Sequence, residues 1–172
     1  FIKTTIRNPI YGYYCGKKEG MELWRNYFPT KTSYRFLGNT PSTYLQGIKQ
    51  LPKNGDMLVI GKSLKDVMYM YEQEVSSIAP TSETIIISEK QILKLKESFP
   101  QIILFGDNDL AGIKSLNKWK KKYPWITIVF LKRKFAKDIT DLAFKSKIDA
   151  MRAMDELKDI QNKTNLQYFY KF

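Results

Sequence analysis

Histidine is absent from the 172 residues, and cysteine occurs once, at Cys15. The first absence removes any histidine base; together the two remove a Cys/His zinc site. A single thiol also rules out a disulfide within the chain. Cys15 reads as a small buried apolar residue rather than a nucleophile. No apolar run approaches the ~18–20 residues of a membrane span, and there is no low-complexity tract or internal repeat. No signal-peptide pattern opens the sequence. It starts at Phe1 rather than Met, as a fragment of a longer protein would, and the expected location is the cytoplasm.

What the chain has in excess is positive charge. Lysine and arginine number 29 against 17 acidic residues, a formal net charge of +12 with a pI near 9.6. Such a balance favours a polyanionic partner, nucleic acid before an anionic membrane. With 43% hydrophobic residues, the length suffices for one domain with a real core, or for a domain plus a smaller subdomain.

Residues 101–122 organise the rest. Ile102, Ile103, Leu104 and Phe105 form a continuous apolar run, as in a strand covered on both faces. Gly106 permits a sharp exit. Asp107 and Asp109 stand two apart just beyond it, followed by a basic amphipathic helix with Ile113, Leu116 and Trp119 at helical spacing. Ligands of open parallel sheets bind at the carboxyl ends of strands. Two carboxylates there repel each other unless a cation binds, and a hard divalent ion such as Mg²⁺ is the simplest candidate. The competing reading is plain turn chemistry, which Asp-Asn-Asp also suits.

Residues 1–50 are dense in aromatics, among them Tyr11, Tyr14, Trp24, Tyr27 and Phe36, punctuated by Gly and Pro. This predicts a small antiparallel β subdomain with hairpin breaks. Its aromatics are expected to form mainly its core. The alternative is a single-strand binding surface, with Lys17, Lys18, Arg25, Lys31 and Arg35 interleaved. Residues 51–56 (LPKNGD) mark the boundary. The expected division is residues 1–53, a β-rich subdomain; 54–147, an α/β domain; and 148–172, a C-terminal helical segment.

Beyond the boundary, strands alternate with helices. Strands are expected over 57–60, 77–79, 102–105 and 125–131. A helix capped by Ser63 has Val67, Met68, Met70 and Tyr71 on its apolar face. Ile85, Ile86 and Ile87 are ambiguous between strand and helix. Ser88 opens a helix stopped by Pro100. Further helices cover 138–145 and 148–160, the last with Met151, Met154 and Leu157 inward. Three loops then meet at one sheet edge. They carry Lys62, Lys65 and Asp66; Asp107 and Asp109; and Lys132, Arg133, Lys134, Lys137, Asp138 and Asp141. Asp66 alone reads as a helix-dipole residue and Asp138 alone as a cap; their joint placement is harder to explain so.

In these motifs the chain resembles the Toprim domain, the metal-binding module of primases, topoisomerases and some nucleases. The matching residues are strand 57–60 with Lys65-Asp66, the strand before Asp107-Asn108-Asp109-Leu110-Ala111-Gly112, and Lys137-Asp138-Ile139-Thr140-Asp141. It is most similar to the polymerase core of phage-type and bacterial primases, whose small β subdomain precedes the Toprim fold. Residues 61–67 and Thr81-Ser82-Glu83 also resemble that group. The match covers about residues 50–145 well and 1–50 loosely.

The resemblance implies a Toprim-like parallel sheet of about four strands flanked by helices. It implies metal-dependent synthesis of RNA primers on single-stranded DNA. Asp107 and Asp109 would hold Mg²⁺ or Mn²⁺ with Asp138, and Asp66, Glu83 or Asp141 would assist. Lys62, Lys65, Lys132, Arg133, Lys134 and Lys137 would meet phosphates, with Arg25 and Arg35 lining the template groove. The implied partners are single-stranded DNA and nucleoside triphosphates, with a replicative helicase or the remainder of a longer primase chain as further candidates, and no membrane. A bacterial or phage-infected cytoplasm follows. The chain departs from the family at Lys62, where a glutamate usually stands. Glu83 supplies the missing carboxylate, or the site uses fewer acids, or the chemistry is lost. The rival functions are a Toprim metal-dependent nuclease and a non-catalytic single-strand-binding module.

Overall fold

The computed structural model describes residues 4–107, 109–131, 136, 138–161 and 170–171, with side chains through Ile160. The chain packs as two compact units, Phe1–Tyr44 and Leu45–Phe172.

The first unit is the expected antiparallel sheet, β1 (Tyr11–Lys18), β2 (Met21–Tyr27) and β3 (Phe36–Gly38), in that order. Lys18 pairs with Met21, leaving Glu19-Gly20 as a two-residue turn in which both residues take positive φ, 52° and 80°. That is the backbone whose twist matches paired strands. The aromatics do not form the core. Tyr11, Tyr14, Trp24, Tyr34 and Phe36 are exposed, and among the described residues of this unit the buried apolar ones are Cys15, Leu23 and Phe28. Among its described residues the unit is a single three-stranded layer, and one layer buries few large rings.

The second unit is α/β. Its elements are β4 (Leu45–Gln46), β5 (Met57–Ile60), α1 (Leu64–Glu72), β6 (Ser77–Pro80), α2 (Glu89–Ser98), β7 (Gln101–Gly106), α3 (Leu110–Lys122), β8 (Thr127–Phe130), α4 (Ile139–Lys145), α5 (Lys147–Gln161) and β9 (Tyr170–Lys171). The sheet order is β4-β6-β5-β7-β8-β9. β4 is antiparallel to β6, and the remaining pairs are parallel. The four inner strands are those expected from the apolar runs. The two edge strands have two residues each, too short to show periodicity. Because Leu45 and Gln46 pair with Pro80 and Ala79, the division between units falls before residue 45 rather than after 53.

Successive residues of each inner strand face opposite layers. Met57, Val59, Ile103, Phe105 and Val129 pack with Met70, Ile139, Leu142, Met154 and Leu157 of α1, α4 and α5. Leu58, Ile60, Ile102, Leu104 and Ile128 pack with Ile92, Leu95, Leu116 and Trp119 of α2 and α3. Burial on both sides explains the continuous apolar runs. The helices bury narrower stripes than their periodicity implied: Met68 and Tyr71 of α1 and Met151 of α5 are exposed. The 85–87 run is neither strand nor helix. Ile87 is buried, and its carbonyl accepts a hydrogen bond from Tyr123 Oη at 2.7 Å. No described helix is long and apolar enough to cross a membrane.

From β5 the chain moves to β6 on one side and then returns to β7 on the other. The crevice beyond the carboxyl ends of β5 and β7 is therefore the topological switch point, where open α/β sheets bind ligands.

Candidate active site

Lys62 lies two residues past β5 and Asp107 directly past β7. The Lys62 ammonium donates a hydrogen bond to Asp107 Oδ2 and lies 3.6 Å from Asp138 Oδ2. All three side chains are well covered, 22%, 6% and 12% exposed respectively. Asp66 is 3% exposed, and its charge reaches Lys62, Asp107 and Asp138. The ends of three strands thus bring two carboxylates against one ammonium, with Asp66 of α1 buried nearby.

Helix starts hold these groups in place. Ser63 is the N-cap of α1 and forms a reciprocal capping box with Asp66. Asp66 Oδ2 accepts from Ser63 N at 3.1 Å and from Ser63 Oγ at 2.8 Å, while Oδ1 is buried without a hydrogen-bond partner. Asp138 caps α4 through Oδ1, which accepts from Asp141 N and Thr140 Oγ1 at 2.8 Å each. That leaves Oδ2 for Lys62. The cap reading of Asp138 therefore holds, Asp66 is the N3 partner of a Ser63 cap as well as an acid in the first turn of α1, and both lie close to Lys62 and Asp107. Asp109 caps α3, accepting from Gly112 N at 2.8 Å. Gly112 is required by space: a Cβ there would run into the Asp107 carbonyl oxygen and lie 2.9 Å from Asp107 Cβ. Gly106 serves similarly, since a Cβ would lie 2.6 Å from Leu116 Cδ2; its role is helix packing rather than an unusual turn.

The electrostatics follow from burial and proximity. Burial pushes the Asp66 carboxyl up to about 6, reinforced by Asp138 and Asp107 and opposed by the Ser63 hydrogen bond and Lys62. Burial alone would pull Lys62 down; the Asp107 hydrogen bond and the charges of Asp107, Asp138 and Asp66 outweigh it and hold the ammonium above its ordinary value. For Asp138, burial raises and the Asp141 N–H, Thr140, Lys62 and Lys65 lower, leaving it below the usual carboxylate range.

The described chain superposes on solved primase structures. The E. coli primase catalytic core matches with a TM-score of 0.63 at 16% identity, over 85% of this chain and 51% of that one. A DnaG primase catalytic domain bound to ssDNA matches with the same TM-score and identity, over 85% and 50%. The primase fragment of the bacteriophage T7 primase-helicase protein matches with a TM-score of 0.59 at 16% identity, over 84% and 61%. This is the fold of a DNA primase catalytic core. The chain spans about half the length of the first of these structures. No family model matches the sequence, and no curated protein matches it. The likeness to primase cores drawn from the motifs holds at the level of fold.

Within the primase-core fold, the structure gathers Lys62, Asp66, Asp107 and Asp138. Glu83 is exposed and borders the same pocket as Lys62 and Asp107; its carbonyl accepts from Ser115 Oγ at 3.0 Å. Lys65 is exposed on α1. Asp141 is exposed and contributes its backbone N–H to Asp138. Lys132, Arg133, Lys134 and Lys137 lie outside the described residues. Arg25 and Arg35 belong to the first unit. The Arg25 guanidinium sits 4.7 Å above the Phe36 ring, and Arg35 Nε donates to Lys31 O at 3.3 Å. Tyr11, Tyr27 and Phe36 are directly opposite one another across three strands and stack, with centroids 6.3 and 4.9 Å apart.

The resemblance drawn from the motifs implies a divalent ion. The donors are of the right kind, hard carboxylate oxygens, but their arrangement does not fit one. The position between Asp107 and Asp138 is held by an ammonium, and among the described residues no group of three or more acidic, His or Cys side chains could hold a metal. Sequence reasoning missed this ion-paired role of Lys62 and the anchoring hydroxyl of Thr140. The second was signalled by the Asp-Ile-Thr-Asp cap pattern; the first had no local signal.

Proposed function

We propose that this chain is the polymerase core of a primase-type nucleotidyltransferase, joining ribonucleoside triphosphates on a single-stranded DNA template. The observation that carries the reading is the convergence of Lys62, Asp66, Asp107 and Asp138 at the switch point of a primase-core sheet. In the reaction, a primer 3′-oxygen attacks the α-phosphorus of the incoming triphosphate and pyrophosphate leaves. Such chemistry depends on positioning and on positive charge at the phosphates. Lys62 and Lys65 would face the triphosphate from the start of α1. The first unit would carry the template: its exposed rings suit base stacking, and Arg25, Lys31 and Arg35 suit the phosphate backbone. A replicative helicase or the remainder of a longer primase chain is the further partner we propose.

A second reading has its own observation. The Lys62–Asp107 ion pair suits a non-catalytic module that binds single strands and has set the chemistry aside. One experiment separates the two. The purified chain is incubated with single-stranded DNA, labelled ribonucleoside triphosphates and Mg²⁺ or Mn²⁺. Primers that disappear in Asp107→Asn are expected. DNA binding without primers, with or without added metal, would favour the binding module; nicking of duplex without nucleotides would favour a nuclease.

A further inference from the structure

Lys62 is not a free surface lysine near an acidic patch. Its ammonium hydrogen-bonds Asp107 Oδ2 and faces Asp138 Oδ2 at 3.6 Å. Both carboxylates are mostly enclosed, 6% and 12% exposed. Asp138 Oδ1 is committed to Thr140 and the α4 start, which leaves its Oδ2 toward Lys62. The buried Asp66 adds a third negative charge nearby, with an Oδ1 that has no hydrogen-bond partner. Two carboxylate oxygens thus face one ammonium, a charge-assisted contact of the stronger kind.

A divalent ion and an ammonium compete for the same lone pairs. Mg²⁺ needs carboxylate oxygens at about 2.0–2.1 Å in near-octahedral array. With the Lys62 ammonium against Asp107 Oδ2 and 3.6 Å from Asp138 Oδ2, an ion placed between these oxygens would lie against a like charge and in the space the ammonium fills. We infer that Lys62 is the built-in cation of this site, its ammonium holding the place between Asp107 and Asp138 and excluding a divalent ion from it. A phosphate group, with more oxygen charge than either carboxylate, is the ligand chemistry that would draw the ammonium off. This inference rests on the nucleotidyltransferase reading only for that last step.

The test is a Mn²⁺ titration of the whole chain without nucleotide or DNA, read by calorimetry or by the electron-spin signal of free Mn²⁺. Lys62→Met is expected to bind Mn²⁺ at least tenfold more tightly than the natural chain, and Lys62→Arg to stay as weak as the natural chain. Equal binding by the natural chain and Lys62→Met would overturn the inference. Removing the ammonium leaves carboxylates facing one another, so circular dichroism accompanies each titration. A Lys62→Met chain that folds only when Mn²⁺ is added supports the inference; one that stays unfolded at saturating Mn²⁺ overturns it. Since no nucleotide is present, failure here is distinct from failure to make primers.

Discussion

Lys62 and Asp107, 45 residues apart in the chain, meet as a hydrogen-bonded ion pair beyond the ends of two adjacent parallel strands. The register Ile60↔Leu104 brings them there. The pair bridges the switch point of the sheet, so it bears on stability and on ligand access together.

Breaking the pair from the acidic side should be costly. Asp107→Ala leaves a largely covered ammonium with Asp138 and Asp66 as the acids nearby among the described residues. Removing one partner of a buried pair costs about 3–5 kcal/mol, and the lower end is expected because Lys62 is 22% exposed. Urea unfolding of the two proteins measures it; a loss below about 1 kcal/mol would mean the pair is effectively solvated.

Asp66 should impose a pH dependence of stability between about pH 4 and 6. Its carboxyl is raised from 3.8 to about 6 in the folded chain, so in that window the folded state binds more protons than the unfolded one. Stability therefore falls as pH rises through it, by roughly 3 kcal/mol at most. Asp138 is shifted the opposite way and acts below that window. Asp66→Asn should flatten the slope of unfolding free energy against pH; an unchanged slope would remove Asp66 as its source.

Ser63→Ala removes both the cap and the hydroxyl that donates to Asp66 Oδ2. A lost N-cap costs about 0.5–2 kcal/mol. The carboxyl should also titrate higher than in the natural chain, since a hydrogen bond favouring its charged form is gone. Chemical-shift titration of a ¹³C-labelled Asp66 carboxyl reads the second effect separately from the first.

Gly112→Ala sets two effects against each other. Helix propensity alone favours alanine by about 1 kcal/mol. The new Cβ, however, meets the backbone of Asp107, which cannot rotate away, and overpacking of this kind costs about 1–3 kcal/mol. Net destabilisation is expected in thermal unfolding and, on the proposed function, weaker primer synthesis because Asp107 is displaced.

Phe36→Ala should weaken binding of single-stranded DNA. The ring is 39% exposed, stacks on Tyr27 and carries the Arg25 guanidinium. Loss of a stacking ring costs about 1–3 kcal/mol per base, read as roughly tenfold in fluorescence anisotropy with an oligothymidine at fixed salt. Undiminished affinity would remove this face from the template path.

Much of the second unit was legible because its strands are covered on both faces. Runs such as Ile102 to Phe105 have no polar interruption, and Pro100 and Gly106 bracket that strand. Ser63, Ser88 and Asp138 announced helix starts through local hydrogen bonds. The first unit was misread in one respect. Exposed and buried aromatics look alike in a sequence, and only the tertiary structure shows that Tyr11, Tyr14 and Trp24 remain outside.

Composition and local order by themselves determined the alternating strands and helices, the capped helix starts and the set of charged residues at the strand ends. Those features depend on neighbours a few positions apart. Tertiary structure alone decided that Lys62 is a partner of Asp107 and Asp138 rather than a free phosphate ligand. The contact arises from strand order, β5 beside β7 and β7 beside β8, and the desolvation that makes the pairing strong exists only once the sheet is covered by its helices.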